Sequence, residues 1–266
     1  MNNLVKAGVG AALAFGAAAA HASIVAGSSS GALGNAILFV DVFNGTTFQQ
    51  AYVGDTNITV TSLGGGTQPA NFTDANLQSF LTTFATTGTT VYWALEGGGQ
   101  HKSGTVKSPD MISSSQTITP VSGRNGNQLA SYQINLSNQV GTINGDIAGS
   151  ANPTANFLVT NDDSVLSGTG YNPLATAADI TNWFGSAASS VSTKGLGTAA
   201  TIYHLTAATN GGTSAANLTA LFSATLTATG LSFSPLAAVP IPAALWLLGS
   251  GLLGLAGVAR RKVVAA

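Results

Sequence analysis

Residues able to do chemistry are scarce in this chain. Outside the first 22 positions there are two histidines, His101 and His204, and the sequence has one glutamate, Glu96. Glu96 and His101 bracket Gly97-Gly98-Gly99-Gln100. In a loop, that spacing brings carboxylate and imidazole together as an acid–base pair or as two metal ligands, but with no third group in view a solvated loop is expected. His204 alternates with Ile202 and Thr206 on a strand and reads as a surface or edge residue. A serine hydrolase needs its nucleophile on a sharp, supported strand-to-helix turn with a histidine in reach, and the match Gly27-Ser28-Ser29-Ser30-Gly31 to G-x-S-x-G sits in a run of small residues instead. Asn161, Asp162, Asp163 and Ser164 offer oxygen ligands suited to calcium, but a calcium loop needs a longer, specific spacing, so an Asx-rich turn is expected. The other acids are scattered singly, whereas glycoside hydrolysis needs two carboxyl groups held across a sugar. These residues predict no catalytic group, no metal and no cofactor. Tyr92, Trp93, Tyr132, Trp183 and Tyr203 could build a sugar-stacking platform, yet within strands and a helix core packing is the default.

The elements that would carry these residues are mostly strands. In AILFVDVF, Ile37, Phe39, Asp41 and Phe43 fall on one face and Leu38, Val40 and Val42 on the other, which predicts a strand covered on both sides. Asn44-Gly45 follows and TTFQQAYVG comes next, so residues 37 to 53 are predicted as a hairpin with a type I′ turn. Further strands are predicted at 58 to 63, 90 to 96, 128 to 136, 156 to 160, 201 to 207, 221 to 230 and 231 to 234. Two helices are predicted, FTDANLQSFLTTFA with Thr73 or Asp74 as cap, and NPLATAADITNWFG with Asn172 as cap and Gly185 as stop. The stretch from Gly97 to Asn127 has few large apolar residues and is read as a long loop or a seam between subdomains. The fold class expected is mainly β, an antiparallel β-sandwich or barrel-like domain with two short helices.

The two ends read differently. Residues 1–22 carry Lys6, an apolar stretch from Ala7 to Ala20, and the small residues Ala20 and Ala22 in A-x-A form, which predicts a signal peptide cut between Ala22 and Ser23 by signal peptidase. At the other end, Pro240 and Pro242 precede an apolar run to Ala259, followed by Arg260, Arg261 and Lys262. At ~1.5 Å per residue, residues 242–259 cover most of a ~30 Å hydrocarbon core, and the three cations form a cytoplasmic stop-transfer signal. One transmembrane helix is therefore expected there, with residues 23–238 as an exported ectodomain.

Charge partitions accordingly. Lys6, Arg260, Arg261 and Lys262 lie in the terminal segments, leaving Lys102, Lys107, Arg124 and Lys194 against nine acids, 4 − 9 = −5 for the ectodomain. Nucleic acid is an unsuitable partner for such a surface, because binding it requires clustered cations. With no cysteine in the chain there is neither a disulfide nor a lipoprotein anchor.

The tail VPIPAALWLLGSGLLGLAGVARRK closely resembles the PEP-CTERM sorting signal, in its VPLPA-type variant, of Gram-negative bacteria that make extracellular polysaccharide. Val239, Pro240, Ile241, Pro242 and Ala243 stand at the recognition motif, with isoleucine where leucine or glutamate is usual. The resemblance is confined to residues 239–262. It implies recognition and removal of the tail by an exosortase, a membrane-embedded transpeptidase-like enzyme, after a transient stay in the inner membrane. The protein would then be released or placed on the cell surface. The resulting expectation is a non-enzymatic, secreted component of the cell surface or extracellular matrix with a structural or adhesive role in biofilm or floc. A carbohydrate-binding module that tethers exopolysaccharide is the alternative, and a surface hydrolase the third reading.

Overall fold

A computed structural model describes residues 24–25, 27, 33–103, 106–119, 121–150, 155–160, 193–209, 211–236 and 250. The expected signal peptide, the helix at 172 to 185, and the sorting signal apart from Ser250 lie outside the described residues. The chain divides into two compact units, Met1–Pro235 and Leu236–Ala266, and the second contributes Leu236 and the helical Ser250 to the described set. No helix among the described residues is long and apolar enough to cross a membrane.

The first unit is mainly β, as expected, and its strands join in one curled antiparallel sheet instead of two facing ones. In chain order the elements are β1 (Asn35–Asn44), β2 (Thr47–Thr59), α1 (Val60–Gly64), α2 (Ala75–Phe84), β3 (Thr89–Ser103), β4 (Val106–Ser115), α3 (Gly126–Gly149), β5 (Phe157–Thr160), β6 (Thr193–Lys194), β7 (Ala199–Thr206), β8 (Asn217–Thr227) and β9 (Gly230–Pro235). The sheet order is β5-β2-β1-β3-β4-β7-β8-β9, with the two-residue β6 pairing with β3 beside β4.

The β1–β2 hairpin forms as expected, with its turn shifted by one residue. Asn44 pairs with Thr47, so Gly45 and Thr46 are the central residues. Gly45 has φ +62° and Thr46 does not have positive φ, which suits a type II′ turn, where glycine is needed at the first position only.

Both faces of the sheet are buried, which explains why β1 is apolar on both sides. One cluster joins Leu38, Val40, Trp93, Ile112, Ile202 and Leu226 to Leu63 of α1 and Leu77, Phe80 and Leu81 of α2. The opposite cluster joins Ile37, Phe39, Val53, Met111 and Leu205 to α3. Helix α2 was legible: Asp74 caps it by accepting from Leu77 N–H at 2.8 Å.

Three expectations are corrected. Residues 128 to 136, read as a strand, belong to α3. Asn125 and Gln128 form a capping box there, and Leu129, Tyr132, Leu136, Val140, Ile143 and Ile147 recur at steps of three and four along its buried face. Residues 58 to 63 leave the sheet after Thr59, whose hydroxyl accepts from Ser62 N–H and starts α1. The Gly97 to Asn127 stretch is neither a long loop nor a seam through most of its length. It continues β3, forms β4 and enters α3, because three consecutive glycines let Gly27 and Met111 pack closely on the strand.

The β9 edge of the sheet is capped. Phe72 and Leu231 exchange two backbone hydrogen bonds of 2.9 Å, Phe233 N–H donates to Asn71 Oδ1, and Gln68 Nε2 donates to the Phe233 carbonyl. The segment from Gln68 to Phe72 thus satisfies the edge groups that would otherwise template another strand. Gly230, at φ +139°, is required there, since a Cβ would fall 2.2 Å from the Phe72 carbonyl oxygen.

Candidate functional site

Two groups of ionisable side chains sit on opposite faces of the β3–β4 hairpin. Residues five apart on a strand point to opposite sides, so Glu96 and His101 are not brought together. Both lie on β3, and neither is in a loop.

On the α1 face, His101, Asp110 and His204 converge from β3, β4 and β7. Register dictates the meeting. His101 is opposite Ser108 and His204 is opposite Ile112, so Asp110 is a diagonal neighbour of each. His101 Nε2 lies 2.8 Å from Asp110 Oδ2, and His204 Nε2 lies 2.7 Å from Asp110 Oδ1. The side chains are 61 %, 9 % and 17 % exposed for His101, Asp110 and His204. His204 is therefore neither a surface nor an edge residue: β7 runs between β4 and β8, and a Cβ at Gly64 of α1 would fall 2.9 Å from the imidazole ring.

A general base must direct a ring nitrogen at the atom it deprotonates. Here each Nε2 is committed to Asp110, and among the described residues no hydroxyl nucleophile is hydrogen-bonded to either ring. No group of three or more His, Cys, Asp or Glu side chains among the described residues is arranged to hold a metal ion. What this arrangement can do is clamp three neighbouring strands through one carboxylate. Asp110 was missed in the sequence because the hairpin it belongs to was missed.

On the α3 face, Glu96 is fully buried and accepts a short hydrogen bond from the Tyr132 hydroxyl. That hydroxyl also lies 3.2 Å from the Ile112 carbonyl oxygen, and it has one proton to give. Its single proton therefore stands between two acceptors, the Glu96 carboxyl and the Ile112 carbonyl. Burial pushes the Glu96 pKa from 4.5 to about 8, against weaker pulls from Tyr132, Ser113 and the Ser114 backbone. Tyr132 is held well above its usual value, first by burial and then by the Glu96 charge. Around this pair runs a buried polar strip of Gln100 on β3, Ser113 opposite Glu96 on β4, and Gln133 on α3. Enclosed in this way, Glu96 sits between sheet and helix with its charged form disfavoured by burial.

The aromatic residues considered for sugar stacking divide differently from a platform. Trp93, Tyr132 and Tyr203 are buried, Tyr92 is half-buried, and Trp183 lies outside the described residues. Lys194 Nζ sits 5.9 Å from the Tyr92 ring centroid and also lines an open groove of about 480 Å³ with Thr86, Thr89 and Thr90. Ala20, Ala22 and Ser23, the sorting residues Val239, Pro240, Ile241, Pro242 and Ala243, the stop-transfer Arg260, Arg261 and Lys262, and the Asp162–Asp163 cluster all lie outside the described residues. Comparison with known proteins returns no matching family model, no matching curated protein and no matching solved structure.

Proposed function

We propose that this protein is an exported, non-enzymatic component of the cell surface or extracellular matrix, structural or adhesive in biofilm or floc, whose tail is removed by an exosortase. One observation carries the reading: Val239–Ala243, an apolar run and Arg260–Lys262 occur in that order at the C-terminal end. The positions of the folded elements support it. β9 ends at Pro235, and in the sequence Leu236, Ala237 and Ala238 stand between it and Val239. Because proline disfavours helix in the residue before it, an extended motif that an enzyme can reach at the membrane boundary is the expectation from sequence. We read the curled sheet as a barrel-like body whose capped β9 edge resists indiscriminate strand pairing.

The test is the mass of the mature protein in an exosortase-containing host. Loss of the residues from Trp246 to Lys262 is expected in the natural sequence, and a full-length membrane-bound form when Pro240 and Pro242 are both replaced by alanine. A mature protein that retains Trp246 to Lys262 overturns the reading.

The threonine-lined groove beside Lys194 favours exopolysaccharide binding as a second reading, because hydroxyls and one cation suit an acidic glycan. Lys194→Ala should then weaken retention on such a glycan, and unchanged retention removes the groove from consideration.

A further inference from the structure

Four asparagines in this chain are followed by glycine: Asn44, Asn125, Asn144 and Asn210. In such a pair the glycine nitrogen can attack the asparagine side-chain carbonyl, because no Cβ on the second residue stands in the way. The fold decides whether nitrogen and carbonyl can meet. Asn210 lies outside the described residues, and the other three sit in different surroundings.

Two of them are locked. Asn144 lies within α3, so the Gly145 N–H belongs to the helical ladder and points along the axis, away from the side chain. The Asn144 side chain is held as well: Oδ1 accepts from Ile24 N–H at 2.9 Å, and Nδ2 donates to the Ile24 carbonyl at 3.1 Å. Asn125 caps α3, with Oδ1 accepting from Gln128 N–H at 3.0 Å and its own N–H donating to Gln128 Oε1 at 3.1 Å. Gly126 beside it is packed so closely that a Cβ would fall 2.4 Å from the Thr209 carbonyl oxygen. Turning either side chain towards its glycine first requires these bonds to break.

Asn44 differs on every count. It is exposed, as are Gly45, Thr46 and Thr47, and a Cβ at Gly45 would meet nothing within 4 Å, so water has free access. Among the described residues the Asn44 side chain makes no hydrogen bond, and the Gly45 N–H has no acceptor. Asn44 is also the last residue of β1 in both of its ladders, opposite Thr47 and Thr89. Beyond the register shift at Val42 and Phe43, the pairs Phe43 with Phe48 and Asn44 with Thr47 are all that close the hairpin. Fraying of so short an end costs far less than opening the middle of α3.

We propose that Asn44 is a site of spontaneous intramolecular deamidation, with water as the only co-reactant. The Gly45 nitrogen loses its proton to solvent and bonds to Asn44 Cγ, the Cγ–Nδ2 bond breaks, and Nδ2 leaves as ammonia. Water then adds to one of the two carbonyls of the cyclic imide and opens it, giving either aspartate or isoaspartate, with no change of oxidation state. Either product adds one negative charge, taking residues 23–238 from −5 to 4 − 10 = −6. Isoaspartate also routes the main chain through the former side chain, which lengthens the tight turn and prevents the Asn44–Thr47 pair from closing as before.

The experiment incubates the purified full chain at neutral pH, folded and in parallel unfolded in guanidinium chloride. Each asparagine is followed by peptide mapping, with fragmentation that distinguishes aspartate from isoaspartate. In the unfolded chain Asn44, Asn125 and Asn144 should convert at comparable rates, since each precedes glycine. In the folded chain Asn44 should convert at least about tenfold faster than Asn125 and Asn144, the difference reflecting the local opening those two require. Asn44→Gln should remove the first acidic species seen on isoelectric focusing of the folded protein. Equal rates at the three positions in the folded chain overturn the proposal. So does a folded chain in which Asn44 stays intact while the unfolded chain converts.

Discussion

Replacing Glu96 with glutamine should convert a pH-sensitive fold into one that is far less so. In the unfolded chain this carboxyl releases its proton near 4.5, whereas in the fold it holds it to about 8. Between those values the unfolded state binds fewer protons than the native state, so stability falls as pH rises. The contribution is fully present below the unfolded value and lost by the time pH has passed the folded one. At about 1.4 kcal/mol for each pH unit of displacement, ionisation costs the fold roughly 1 kcal/mol at pH 5 and about 4 kcal/mol at pH 8. Because Glu96 is fully buried, solvent screening does not diminish this. Glutamine keeps the shape and its side-chain carbonyl can still accept from the Tyr132 hydroxyl, and it cannot ionise. Urea unfolding of both proteins at pH 5 and pH 8, followed by the fluorescence of buried Trp93, should show the wild type losing about 3 kcal/mol more than Glu96→Gln across that interval. If the two proteins change in parallel with pH, Glu96 is already ionised in the fold at pH 5 and burial does not raise its pKa as argued.

Removing the edge cap by Asn71→Ala together with Gln68→Ala should leave the secondary structure intact but expose the β9 edge, giving concentration-dependent association in light scattering. Asn125→Ala removes the capping box of α3 and should lower stability by about 1 kcal/mol in denaturant titration. At the three-strand clamp, His204→Ala should cost more than His101→Ala at neutral pH, since the His204 contact is the less solvated of the two. The reverse order would place the main hold on β3 and not on β7.

Local signals in the sequence determined much of this protein. Alternation in AILFVDVF and the Asn-Gly that follows give β1, β2 and the turn between them, and Asp74 with the Leu77–Phe80–Leu81 stripe gives α2, because hairpins and capped amphipathic helices are encoded within a dozen residues. Helix α3 was also written locally, in Asn125-x-x-Gln128 and a six-residue apolar stripe. It was obscured because Gln128 to Leu136 alternates when taken alone. The pairing of β3 with β4 was not visible in the same way. Its strands are rich in glycine and serine and gain their apolar environment only from elements distant in sequence, α1, α3 and Gly27. That pairing decides the chemistry. Asp110 reaches two histidines 9 and 94 residues away only because register sets it diagonally between them, and the Glu96 pKa is raised only because the carboxyl is buried against α3. Hydrophobic pattern and turn residues are properties of short windows, whereas burial and cross-strand register exist only once the sheet is assembled.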